Sequence, residues 1–163
     1  MIKAAILTMS DRGSRGERED LSGPAIKALV EAMPAEVVAY EVVPDDMEKI
    51  KERLVHMADV LAADIVITTG GTGVSPRDVT PEATAAVVDR QLPGMAEAMR
   101  AASVKKTPHA MLSRAVCGIR GRTLIINLPG SPKAARENLA VVLPAIPHAV
   151  EKIKGSEAEC GSG

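Results

Sequence analysis

Apolar residues recur along this chain in two rhythms that alternate from end to end. Ile2 to Thr8, Val37 to Val43, Ile65 to Ile67, Ala115 to Ile119 and Thr123 to Leu128 are short apolar runs rich in β-branched residues, which predicts strands. No polar residue interrupts Ile65-Val66-Ile67, so that run suits a strand covered on both faces of a parallel sheet. Between the runs the spacing changes to three and four. Ile26, Leu29, Val30 and Met33 form one helical face after Pro24, which is expected to open the helix, and Pro34 ends it. Ile50, Leu54, Met57 and Leu61 form a second face behind Pro44-Asp45-Asp46, where Asp46 is the better-placed cap. Thr80-Pro81-Glu82 reads as N-cap, first-position proline and first-turn carboxylate. Helices are further expected from Met95 to Lys105 after the break at Leu92-Pro93-Gly94, from Pro132 to about Val142 behind a Ser131 cap, and from Ile146 to Lys154. Ser10 to Asp20 follows neither rhythm and reads as a mobile charged loop, and Gly155 to Gly163 as a frayed tail.

Strands alternating with helices predict an α/β fold: a three-layer α/β/α arrangement with a mostly parallel central sheet. A small antiparallel pairing is expected near the C-terminal half, where Gly121 separates two strands. The 163 residues suit one domain, residues 1–154, followed by a flexible tail, residues 155–163. Ligands of such a sheet belong beyond the carboxyl ends of its strands. Three loops would meet there: Ser10-Asp11-Arg12, Thr69 to Asp78 and Asn127 to Lys133.

Composition narrows the partners. A net charge of −1 does not provide the positive field of a duplex-binding protein, so no nucleic-acid partner is expected. The chain opens MIKAAILTMSDR without a signal-peptide pattern, has no membrane-length apolar segment, and carries only Cys117 and Cys160 at no metal-ligand spacing. A reducing cytoplasm and no membrane association follow as expectations. Tyr40 is the only aromatic residue, so aliphatic side chains must fill the core and few rings can stack on a base.

The candidate chemistry is densest in DIVITTGGTGVSPRDVTPEA, Asp64 to Ala83. Gly70, Gly71 and Gly73 allow a ligand close to main-chain N–H groups between a strand and a helix start, a setting for phosphate. No Gly-Lys-Ser/Thr follows, and Pro76 stands where a dinucleotide fingerprint would have its third glycine, so the match to a Walker or Rossmann loop is incomplete. A tight βα turn would need the glycines by itself. It would not need Arg77-Asp78, whereas phosphoryl transfer uses a cation for the oxygens and a carboxylate for Mg²⁺. Asp78 could equally pair with Arg77, and Asp45 could cap a helix. Arg12, Arg77 and Lys133 could neutralise phosphates or be solvated charges, and Asn127 is more often a strand-end backbone partner. His56, His109 and His148 are dispersed, and Ser103-Val-Lys-Lys106 fits S-x-x-K without a companion motif.

Seven motifs in order, LTMSDR, DLSGP, VPDD, TTGGTGVSPRDVTPEAT, LPGMAEAMR, LSR and NLPGSPKA, resemble the MogA/MoaB family of molybdopterin adenylyltransferases from Ile6 to about Ile153. The resemblance implies a homotrimer that transfers AMP from Mg-ATP to the terminal phosphate of molybdopterin, releases pyrophosphate and hands the product to a separate molybdate-inserting enzyme. It implies Asp45 and Asp78 as catalytic and metal-binding carboxylates. Candidate contacts to molybdopterin and ATP are Ser10, Asp11, Arg12, Gly70, Gly71, Thr72, Gly73, Arg77, Asn127, Pro129, Gly130, Ser131 and Lys133. The alternative within the resemblance is a catalytically silent, molybdopterin-binding protein of the MoaB type.

Overall fold

The computed structural model describes residues 1–157, so the expected tail lies from residue 158 onward outside the described residues. Six strands form one sheet: β1 (Ile2–Met9), β2 (Ala35–Val43), β3 (Ile65–Thr69), β4 (Arg90–Gln91), β5 (Cys117–Arg120) and β6 (Thr123–Leu128). Their order is β2-β1-β3-β6-β5-β4. The first four in that order run parallel, while β5 is antiparallel to β6 and β4 to β5. The mostly parallel sheet with an antiparallel pairing toward the C-terminal half therefore stands as expected.

The period-two pattern sorts side chains to two faces. Ile6, Ile65, Ile67, Leu124 and Ile126 are buried against α2 (Ser22–Glu31), α5 (Pro93–Val104), α6 (Pro132–Val142) and α7 (Ile146–Ile153). Leu7, Val66 and Ile125 point the other way, against α3 (Met47–Val55) and α4 (Thr80–Val87). Three layers result, and the core is aliphatic throughout.

Several helix starts differ from the sequence reading, each for a local reason. The Ser10–Asp20 stretch begins with one helical turn, α1 (Asp11–Ser14), because the Ser10 hydroxyl accepts the Gly13 N–H at 2.9 Å. Helix α2 starts at Ser22 rather than Pro24, since the Asp20 carboxylate accepts the N–H groups of Ser22 and Gly23. Pro24 is then tolerated as the third residue, where an N–H has no helical partner. Thr80 is not the cap of α4 but its first residue, with its hydroxyl turned back to the Gly70 carbonyl at 2.9 Å. Asp46 caps α3 as expected, accepting from Lys49 N–H at 2.8 Å, and the helical course to Leu61 continues as a π-turn from His56 to Val60.

The register fixes the site. Met9 pairs with Val43, Thr8 with Thr69, and Thr69 with Leu128, so β1, β2, β3 and β6 end level. The loops after all four strands converge at one edge of the molecule.

Candidate active site

The glycine loop is forced into place by what surrounds it. Gly70 has φ +96°, and a Cβ there would lie 2.5 Å from the Met9 carbonyl oxygen. Gly71 has φ +67°, and a Cβ there would lie 2.3 Å from the Thr80 hydroxyl and 3.1 Å from an Asp45 carboxylate oxygen. Both positions combine a left-handed backbone with no room for a side chain. The Thr69 hydroxyl donates to the Pro129 carbonyl at 2.7 Å and the Ser22 hydroxyl to the Gly130 carbonyl at 2.6 Å. These bonds hold the Pro129-Gly130-Ser131 turn beside the glycines, and the Ser131 hydroxyl caps α6 by accepting from Ala134 N–H at 3.1 Å.

Two clefts of about 450 Å³ each flank this loop. Ser10, Asp45, Gly70, Gly71, Asp78, Gly130 and Ser131 line the first, together with Arg18, Glu19 and Asp20. Gly71, Thr72, Gly73, Asp78, Pro129 and Gly130 line the second, together with Arg100, Lys106, His109 and Leu112. Asp78, Gly71 and Gly130 belong to both.

Electrostatics divide the acidic residues. Asp11 and Asp45 clasp one another through main-chain N–H groups, Asp11 N–H to Asp45 at 3.1 Å and Asp45 N–H to Asp11 at 3.0 Å. The Arg77 guanidinium donates two bonds to Asp11, at 3.0 and 2.8 Å, and holds that carboxyl below the usual range. Asp45 goes the other way: burial raises its pKa most, the bond from the Asp11 N–H pulls it back in part, and the negative charges of Asp11 and then Asp78 raise it against a smaller pull from Arg77. Ser75 N–H donates to Asp78 Oδ2 at 3.0 Å. Oxygen donors are thus gathered with less positive charge than they call for, the donor chemistry that suits Mg²⁺. Among the described residues no group of three or more His, Cys, Asp or Glu could hold a metal unaided, so such an ion would need phosphate oxygens as well.

Not all sequence candidates reach the clefts. Asn127 is fully buried: its amide donates to the Thr68 and Thr84 hydroxyls at 2.9 and 3.0 Å, and its oxygen accepts Val116 N–H at 3.1 Å. Its bonding capacity is spent between strands and α4, leaving a ligand nothing to contact. Arg12 and Lys133 are exposed and line neither cleft, and Asp11 and Arg77 form a bridge from loop to loop rather than part of either wall. Thr72 is buried at the neck of the glycine loop.

Two residues of the site were missed. Asp20 accepts from the Thr8 hydroxyl at 2.7 Å, from Tyr40, and from the α2 N–H groups, fixing β1, β2 and α2 together. An aspartate two residues before Ser-Gly-Pro is a helix-start signal that could have revealed it. Arg114 binds the glycine-loop backbone from 36 and 41 residues away, a separation that no local pattern records.

A glycine loop flanked by two clefts, with an acidic pair beside it at the carboxyl edge of a three-layer α/β sheet, places this chain among the α/β proteins whose ligands sit beyond their strand ends. The chain belongs to the family described as a probable molybdopterin binding domain, whose model matches residues 5–148. It is similar to a molybdopterin adenylyltransferase of Helicobacter pylori, 48% identical over 158 residues that cover 95% of this chain and 89% of that one. It is also similar to gephyrin of Dictyostelium discoideum, 49% identical over 89% of this chain and 21% of that much longer protein. Among solved structures, the molybdopterin biosynthesis enzyme MoaB of Thermus thermophilus matches with a TM-score of 0.91 and 53% identity, over 96% of this chain and 98% of that one.

Proposed function

We infer that this chain is a nucleotidyltransferase of molybdenum cofactor biosynthesis that adenylylates molybdopterin. The observation that carries the reading is the sharing of Asp78, Gly71 and Gly130 by two adjacent clefts. A reaction between two phosphate-bearing substrates needs two neighbouring sites with one catalytic group at their junction. Similarity to the Helicobacter enzyme along nearly the whole chain supports the same conclusion.

An oxygen of the molybdopterin phosphate attacks the α-phosphorus of ATP. A new P–O bond forms, the bond between the α-phosphorus and its bridging oxygen breaks, and pyrophosphate leaves. No covalent enzyme intermediate is needed. The main-chain N–H groups of the glycine loop orient phosphate oxygens, and Asp45 and Asp78 would hold Mg²⁺ from two different loops. Bound there, Mg²⁺ would supply neutralisation of phosphate charge. Ser75 N–H fixes the orientation of Asp78, and the Asp11 N–H fixes that of Asp45. The rings, lacking an aromatic partner, are held by backbone and aliphatic edges: Tyr40, the one aromatic side chain, has its hydroxyl bonded to Asp20.

We place the reaction in the cytoplasm, in a homotrimer that passes adenylyl-molybdopterin to a molybdate-inserting enzyme. Among the described residues no helix is long and apolar enough to cross a membrane. The silent MoaB-type reading is not favoured, because the carboxylate pair and both clefts are present and the Helicobacter relative is named for the reaction.

The test is pyrophosphate release from ATP, Mg²⁺ and molybdopterin. The protein is expected to release it, and Asp78→Asn to lose ~10²–10³ in rate, the usual loss for one preplaced electrostatic group. Tight pterin binding without pyrophosphate would establish the silent reading instead.

A further inference from the structure

We propose that Arg114 is the positioning residue for Asp78, locking the neck of the loop that separates the two clefts; the proposal rests on Asp78 acting at the reaction centre. The tip of this loop, Val74 to Arg77, is exposed and takes no part in either apolar cluster. Its internal ties are a turn bond from Asp78 N–H to the Ser75 carbonyl and the Ser75 N–H bond to the Asp78 carboxylate. Those ties shape the tip, the Arg77 guanidinium joins it to Asp11 in the loop after β1, and Thr80 N–H closes the base of the loop on the Gly71 carbonyl at 3.1 Å, but none of them connects Gly73 to Asp78.

Arg114 makes that connection. Its main-chain N–H donates to the Thr72 carbonyl at 2.8 Å, Nε donates to the Gly73 carbonyl at 2.7 Å, and Nη2 donates to the Asp78 carbonyl at 2.8 Å. Nη1 pairs with Glu82 in the first turn of α4. One planar guanidinium thus grips both ends of the loop, five residues apart, and ties them to the helix that follows. The segment carrying Arg114 is itself pinned. Arg100 Nη1 donates to the Ala115 carbonyl at 2.8 Å, and Asn127 accepts the Val116 N–H. This gives the buried Asn127 a role: it anchors the clamp rather than the ligand.

A lysine keeps the charge but has no fork, so it cannot hold Gly73 and Asp78 together. Arg114→Lys should therefore keep its fold while releasing the loop. Hydrogen exchange at the amides of 74–78 is expected to quicken by ~10-fold or more, reporting local opening. The Mg²⁺ concentration for half-maximal pyrophosphate release is expected to rise by ~10–100-fold, the usual effect of freeing a group that orients a metal ligand. Glu82→Gln removes the ion pair but leaves both carbonyl bonds, and it should change neither readout by more than about twofold.

Unchanged exchange and unchanged Mg²⁺ dependence in Arg114→Lys would overturn the proposal. So would failure of that variant to fold, which would make Arg114 a pillar of the fold, or Glu82→Gln reproducing its effect. Asp78→Asn separates this inference from the reading beneath it. Wild-type turnover in Asp78→Asn would remove Asp78 from the reaction, whereas exchange in 74–78 would still report whether Arg114 holds the loop.

Discussion

Asp45→Asn should make the protein more stable and nearly inactive. The side chain keeps its shape, and its Oδ1 can still accept the Asp11 N–H that Asp45 accepts at 3.1 Å. What disappears is a charge that the fold disfavours: burial opposes it most, the Asp11 N–H favours it in part, Asp11 and Asp78 oppose it, and Arg77 favours it least. Two carboxylates against one guanidinium leave about one uncancelled negative charge facing Asp45. A unit charge ~4 Å away costs ~1 kcal/mol in water and ~4 kcal/mol at an effective dielectric near 20; in an open cleft the low end applies. For a domain of this size ~1 kcal/mol is ~2–4 °C in melting temperature.

The pH dependence has a definite sign. Because the folded-state pKa of Asp45 lies above its unfolded value of 3.8, its favourable contribution is complete below that value and is lost as pH rises through the raised pKa. The variant's advantage should be full at pH 7.5 and vanish as pH falls toward 4. Calorimetry at the two pH values measures it. Adding Mg²⁺ with ATP should raise the wild-type melting temperature more than the variant's, since a ligand stabilises in proportion to its affinity for the folded state. Turnover of the variant should fall by ~10²–10³. A variant less stable than wild type at pH 7.5, or one with full turnover, would refute the reasoning.

Two other outcomes are expected. Gly71→Ala combines a left-handed φ of +67° with a Cβ 2.3 Å from the Thr80 hydroxyl, displacing the bond that hydroxyl makes to Gly70; a loss of ~3 kcal/mol, or ~6–12 °C in melting temperature, should follow. Light scattering at low micromolar concentration should report about three times the chain mass, and a clean monomer would exclude the proposed trimer.

Elements governed by local periodicity were legible in the sequence. Ile65, Val66 and Ile67 alternate between the two apolar clusters as a doubly covered strand requires, and the three loops expected to converge do so because their strands end in register. Helix starts slipped by one or two residues wherever the capping group came from outside the obvious position, as with Asp20 before α2. Side-chain roles set by distant partners were not legible. Arg77 is engaged by Asp11, 66 residues away, and Asn127 by Thr68 and Thr84, 59 and 43 residues away. A polar residue at a strand end looks alike in sequence whether it faces a ligand or bridges two buried hydroxyls.

The same accounting sorts the aspartates in and beside the first cleft. A carboxylate has about four acceptor positions, and those filled from within the protein are lost to a cation. Asp20 receives donors from Thr8, Tyr40, Ser22 and Gly23, so its capacity is committed to joining β1, β2 and α2. Asp11 receives two bonds from Arg77 and one from Asp45 N–H. Asp45 accepts a single N–H, from Asp11, and Asp78 a single N–H, from Ser75. Of these four aspartates, Asp45 and Asp78 keep the most acceptor positions, both line the cleft beside the glycine loop, as Glu19 also does, and Asp45 carries a charge the fold disfavours. Such a disfavoured charge is tolerated where a bound cation restores the balance, and this supports the proposed role of Asp45 and Asp78, rather than Asp11 or Asp20, as the pair that would hold Mg²⁺.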